Sequence, residues 1–174
     1  ERGSTADLQI IRGSTQLSIA VTRGRIPVSS VDASYMIDKS TGYIKLNKFT
    51  ENSYEEFMQA MENLLKQGMQ SLIYDLRGNG GGFMNEAVDM ADEFLDGDKL
   101  IVYTAGVNNK KKEYRCKRPG LFEKGKLVLL VDELSASASE VLAGALQDWC
   151  RATIIGRRTF GKGLVQEQYP LSDG

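Results

Sequence analysis

Apolar and polar residues alternate over residues 7–11 and again over 16–22, the two-residue period of half-buried strands. Arg12-Gly-Ser-Thr15 between them reads as a hairpin turn. A third extended stretch, Ile26 to Asp32, contains Pro27, which confines it to a sheet edge or a connection. Gly42-Tyr-Ile-Lys-Leu-Asn-Lys-Phe49 alternates again and predicts a strand. The period then changes. Ser53-Tyr-Glu-Glu56 has the form of a capping box, and Phe57, Met61, Leu64 and Leu65 follow on one helical face. Gly68 suits the left-handed residue after a last turn, so a helix is expected over roughly 53–67.

Ser71 to Leu76 is a short apolar strand that runs directly into Arg77-Gly-Asn-Gly-Gly-Gly82. Ala87, Val88, Ala91, Phe94 and Leu95 mark a second amphipathic helix. A strand at 99–104 leads to a polar loop from Val107 to Gly120, in which Lys110-Lys-Lys112 reads as solvated. A strand beginning at Leu127, a helix to Trp149 and a strand at 152–155 complete the pattern. Strand and helix therefore alternate from residue 43 onward. That order predicts an α/β layered core with mostly parallel strands, preceded by a short β segment.

Composition narrows the chemistry. The 174 residues suffice for one domain with a real core. Lys and Arg number 22 against 23 Asp and Glu, so charge gives no reason to expect nucleic acid or an anionic membrane as partner. No run of 18 apolar residues is present. Cys116 and Cys150 are 34 residues apart, form no metal-ligand motif and read as unpaired. Histidine is absent, which removes Ser-His-Asp and Cys-His catalysis and most zinc sites. No metal or cofactor is expected, and any catalytic base must be Lys, Asp, Glu or Tyr.

Three turns could carry chemistry. Gly78-Asn-Gly-Gly-Gly82 joins a strand to a helix, where converging amides could hold a phosphate or an oxyanion. It is not a dinucleotide fingerprint, because Phe83 stands where the third glycine belongs. Gly156-Arg-Arg-Thr-Phe-Gly-Lys162 imitates a P-loop for seven positions. It fails at Gly163, where a magnesium-binding hydroxyl should be, and β-forming residues follow instead of a helix; no nucleotide is expected.

The serine turn, Ser135-Ala-Ser-Ala-Ser-Glu140, follows a strand and opens a helix, so a serine there is exposed beside free amides. Ser137 with Glu140 is also a capping box, and Ser139 could cap as well; capping explains one serine of three. Without histidine, such a serine needs a lysine as base, desolvated enough to accept a proton. Lys162 lies between two glycines after Phe160. If 162–166 is extended, Gln166 shares its face and can orient it.

These motifs resemble the carboxy-terminal processing peptidases, or tail-specific proteases. The resemblance rests on Gly42-Tyr-Ile-Lys-Leu with Phe49, Asp75-Leu-Arg-Gly-Asn-Gly-Gly-Gly82, Ser135 to Glu140, Ala143-Gly-Ala-Leu-Gln-Asp148, Arg151-Ala, and Thr159-Phe-Gly-Lys-Gly163 with Val165-Gln166. It implies that Ser137 is the nucleophile, Lys162 its general base and Gln166 the orienter of the lysine. The amide of Ala138 and that of Gly81 or Gly82 would form the oxyanion hole. It also implies a crotonase- or Clp-protease-like core and a PDZ domain that takes the substrate's C-terminal tail as an added strand.

On that resemblance, residues 1–24 are the end of a PDZ-like region or its linker strands. Residues 25–174 are the peptidase core, expected to be cut short after the Leu171-Ser-Asp-Gly174 turn. The expected function is a serine endopeptidase cleaving proteins near or from their C-terminal tails, with protein or peptide substrates as partners and a homo-oligomer allowed. The expected compartment is the bacterial envelope or periplasm. The alternatives are a module that binds peptides without cutting and, last, a crotonase-like acyl-CoA enzyme.

Overall fold

The computed structural model describes residues 1–24 and 29–166. β1 (Thr5–Arg12) and β2 (Thr15–Thr22) pair antiparallel from Thr5↔Thr22 to Arg12↔Thr15, closing the expected hairpin on its Gly13-Ser14 tip. Leu8, Ile11, Ile19 and Val21 stay exposed on this two-stranded sheet.

The main sheet has five strands in the order β3-β4-β5-β8-β9. β3 (Val31–Met36) runs antiparallel to β4 (Thr41–Leu46). β4, β5 (Ser71–Asp75), β8 (Lys126–Val131) and β9 (Thr153–Gly156) are parallel to one another in turn. Parallel neighbours need crossovers, and the helices supply them. α1 (Ser53–Lys66) links β4 to β5, and α3 (Ala138–Asp148) links β8 to β9. Between β5 and β8 run α2 (Met84–Asp92), β6 (Leu100–Thr104) and β7 (Lys112–Arg115). The mostly parallel α/β layering expected from the sequence is therefore the observed fold.

Alternation decides which sheet face is buried. Ile44, Leu46, Leu72, Tyr74, Leu127, Leu129 and Val131 point to one face and are nearly inaccessible. They share one apolar cluster with Phe57, Met61 and Leu64 of α1, Ala87 and Ala91 of α2, and Leu142 and Leu146 of α3. At its centre Phe57 stacks on Tyr74 with ring centroids 5.2 Å apart, and Phe94 tilts against Phe57 at 5.7 Å.

Several local expectations are corrected. Ser53 is the first helical residue, not the cap: α1 is capped at Asn52 without a side-chain bond. Glu56 turns away from a capping box to accept from Ser29 Oγ and the amides of Ser30 and Val31. Glu86 of α2 takes the place expected of Glu56, accepting from Ser53 Oγ and the Tyr54 amide. Strand β4 ends at Leu46 rather than Phe49, and α2 stops before Phe94 and Leu95, which remain buried.

The polar loop contains β7, which pairs antiparallel with β6 as a separate two-stranded sheet. The strand at 99–104 is thus outside the main sheet. Strand β3 begins at Val31, where the extended stretch Ile26 to Asp32 was expected to be ending; its portion through Val28, with Pro27, lies outside the described residues, as does the Leu171–Gly174 turn. The two cysteines are free, Cys116 buried and Cys150 exposed. Gly68 takes the expected left-handed φ, +96°.

The aromatic centre makes a stability prediction. Phe57→Ala should lower the unfolding free energy by about 3–5 kcal/mol, the range for emptying a buried aromatic site. The check is a urea midpoint measured against the parent protein.

Candidate active site

Strands β5, β8 and β9 are consecutive, parallel neighbours, so their carboxyl ends lie along one sheet edge. The glycine turn leaves β5, the serine turn leaves β8, and the lysine segment follows β9. Ligand sites of open parallel sheets form at this kind of edge. Here it brings all six sequence-predicted residues together: Gly81, Gly82, Ser137, Ala138, Lys162 and Gln166 line one cavity of about 1020 Å³.

The first two turns are stitched to each other. Ser135 Oγ donates to the Leu76 carbonyl at 2.8 Å, and Ser139 Oγ donates to the Asn79 carbonyl at 2.8 Å. The Ala136 amide donates to the same Asn79 carbonyl, and the Gly78 amide to Asp132. Ser135 and Ser139 are fully buried in this work, whereas Ser137 is half-exposed to the cavity. The three serines of the motif thus separate into two structural ties and one available hydroxyl.

Ser137 sits at φ 55°, ψ −112°, a conformation sparsely populated by residues with a side chain. A strained serine between a strand and a helix is the geometry that lifts a hydroxyl out of a sheet. Glu140 holds it there. Its Oε2 accepts from the Ser137 amide at 2.8 Å, the arm of the capping box that the sequence predicted. The same carboxylate also accepts from the Lys162 amide (2.9 Å), the Gly161 amide (2.6 Å) and Thr159 Oγ1 (2.8 Å). Burial works against its charge, but the donors from Thr159, Gly161, Ser137 and Lys162 together hold the carboxyl below its usual range. Sequence reasoning saw Glu140 only as a cap. Its place in both the serine and lysine turns requires the fold.

Lys162 Nζ donates to Gln166 Oε1 at 2.9 Å, the pairing expected of an orienting glutamine. The segment pairs with no strand among the described residues. Nor does Phe160 shield the lysine: its ring is 67 % exposed, and Lys162 is only half-buried. The desolvation expected there is not supplied by this segment.

The open choice between Gly81 and Gly82 is narrowed by hydrogen bonding. The Gly81 amide donates to Asn79 Oδ1 at 2.9 Å. Among the described residues, the amides of Gly82 and Ala138 donate to nothing, and Ala138 opens α3, where no intrahelical acceptor exists. Both glycines are required by space. A Cβ on Gly81 would lie 2.6 Å from the Ala136 carbonyl oxygen, and one on Gly82 2.0 Å from that of Phe49. Fully buried Asn79, missed in the sequence, ties the glycine turn to the end of β4 by donating from its Nδ2 to the Leu46 carbonyl.

Beneath the glycine turn, Asp75 is fully buried and gripped by Arg77, whose Nη2 approaches to 2.6 Å, and by Tyr43 Oη at 2.7 Å. Burial opposes its charge, but these donors and nearby Lys45 prevail and bring the carboxyl to about 2. Among the described residues no group of three or more His, Cys, Asp or Glu is placed to hold a metal ion.

A strained serine, a glutamine-bound lysine and unpaired amides around one cavity define a site suited to nucleophilic acyl transfer. The profile "Peptidase family S41" matches residues 40–174. The carboxyl-terminal-processing protease of Synechocystis sp. is 38% identical over 178 residues, covering 99% of this chain and 41% of that protein. The carboxy-terminal processing protease CtpB of Bacillus subtilis is 35% identical over 179 residues, covering all of this chain and 37% of that protein. A solved structure, the photosystem II D1 C-terminal processing protease, superposes with a TM-score of 0.74 at 32% identity, over 99% of this chain and 48% of that one. This chain belongs to peptidase family S41, the C-terminal processing serine proteases. It spans less than half the length of these relatives.

Two outcomes check the electrostatics. Asp75 has its carboxyl lowered in the folded state, so its stabilising contribution is full above its ordinary value of 3.8 and is lost as pH falls toward about 2. Denaturation midpoints across that window should therefore converge for the parent and Asp75→Asn. Glu140→Gln places an amide NH₂ against a backbone donor and should cost about 1–3 kcal/mol. Hydrogen exchange at Gly161 and Lys162 should speed up with it.

Proposed function

We propose that the chain carries the site of a serine endopeptidase that works through an acyl-enzyme on Ser137. Lys162 takes the hydroxyl proton as Ser137 attacks the substrate carbonyl, then returns it to the leaving amine. Gln166 orients the lysine through the 2.9 Å bond. The amides of Ala138 and Gly82 receive the developing oxyanion, with Gly81 giving the room that lets the two turns close on each other. Substrate lying in the cavity covers half-exposed Lys162 from water.

One observation carries this reading: of three serines in the motif, only Ser137 is strained, accessible and in the cavity of Lys162. The similarity to carboxyl-terminal-processing proteases supports proteins cut at their C-terminal ends as the substrate class. We place its work in the bacterial envelope or periplasm, on family resemblance alone; fractionation of the native host tests that.

In the full-length protein, Ser137→Ala and Lys162→Ala should each reduce peptide cleavage by at least about 10³-fold while circular dichroism and melting stay near those of the parent. Cleavage retained in either variant contradicts the assignment. A peptide-binding module without hydrolysis would show unchanged peptide affinity and no product in the parent itself.

A further inference from the structure

A second cavity of about 450 Å³ runs between α3 and β6. Ser137, Val141 and Lys162 line both cavities, so the two meet at the serine. Along α3, Ser137, Val141 and Gly144 follow at spacings of four and three and so share a face. Opposite them are Ile101 and Val102 of β6, and Trp149 lines the cavity further along. The Trp149 indole N–H already donates to the Leu100 carbonyl at 2.8 Å, so its ring asks for no polar partner there. The charge in the lining beyond Lys162 and Glu140 is Asp148, exposed to solvent.

Gly144 is the anomaly. Glycine is the least favoured residue of a helix interior after proline. Packing explains some of the other glycines, since a Cβ on Gly42, Gly82 or Gly156 would lie within 2.3 Å of a sulfur or a carbonyl oxygen, and those whose Cβ would meet nothing lie outside the helices. A Cβ on Gly144 meets nothing within 4 Å, and its backbone is helical. Neither space nor conformation asks for glycine at this position. Its effect is to leave the cavity wall without a side chain.

We propose that Gly144 sets the size of a specificity pocket that takes a bulky apolar side chain, such as leucine, methionine or phenylalanine, beside the scissile bond. The proposal rests on Ser137 as nucleophile and names the substrate class of that site. The amides of Gly82 and Ala138 flank the larger cavity and not this one. A carbonyl whose oxygen turns toward those amides leaves the rest of its residue free to enter the α3–β6 pocket. Apolar lining and volume are those of a side-chain or ligand site.

The test uses the full-length protein and peptides that differ only in the residue donating the attacked carbonyl: alanine, leucine or phenylalanine. The parent should prefer leucine and phenylalanine over alanine by at least about tenfold in kcat/KM. Gly144→Leu should cut the leucine and phenylalanine peptides by at least about 30-fold and leave the alanine peptide within about threefold. Gly144→Ala should raise the melting temperature by about 2 °C and lower only the phenylalanine peptide, which decides the matter if Gly144→Leu fails to fold. An equal loss for all three peptides, or an unchanged preference, overturns the pocket and leaves the peptidase reading standing. No cleavage of any peptide by the parent overturns both.

Discussion

The site depends on the parallel pairing of β5, β8 and β9 as consecutive neighbours. Because the three run in the same direction, their exits lie along one edge, and the glycine, serine and lysine segments emerge side by side. Reversing any one strand would move its turn to the opposite edge, about 13–20 Å away for strands of four to six residues. The crossover helices enforce the direction, since parallel strands cannot be joined by a tight turn. The same apolar face that packs these helices on the sheet therefore determines which chemistry can meet at the edge.

Within that frame the decisive local feature is the strain at Ser137. A residue held at such φ and ψ costs about 1–3 kcal/mol and persists only where its surroundings fix it. One hydrogen bond to a charged acceptor contributes about 1.5–3 kcal/mol, so the Glu140 bond to the Ser137 amide is of the required size. The carboxylate binds the lysine segment as well, so one group positions the backbones of both the serine and the lysine turns. On the other side, Ser135 and Ser139 anchor the turn to carbonyls of the glycine segment. The strained residue is thus the middle of a turn whose flanks are fixed, its amide held by Glu140.

Much of this was legible in the chain because chemistry and periodicity are local. The missing histidines made lysine the candidate base for a serine. The motif around Ser137, the glycine frame of Lys162 and the four-residue step to Gln166 located the site, and the structure gathers all of them at one cavity. What escaped was set by partners far away in sequence. Glu86 took the place expected of Glu56 because the start of α1 lies beside Glu86, while Glu56 faces the residues leading into β3. Strand β7, Lys-Glu-Tyr-Arg, carries no apolar alternation and forms because β6 offers an edge. The separate duties of the three serines depend on Leu76 and Asn79, 59 and 60 residues from their donors. The open space beside Gly144 likewise depends on the fold.

Mass-spectrometric mapping of the adduct left by a small serine-reactive phosphonate on the full-length protein tests the central claim most directly. Buried, hydrogen-bonded Ser135 and Ser139 leave Ser137 as the accessible hydroxyl of this motif. The prediction is one adduct per chain, on Ser137, that disappears in Lys162→Ala. Modification at another serine, or none at all in a protein that cleaves peptides, would contradict the account.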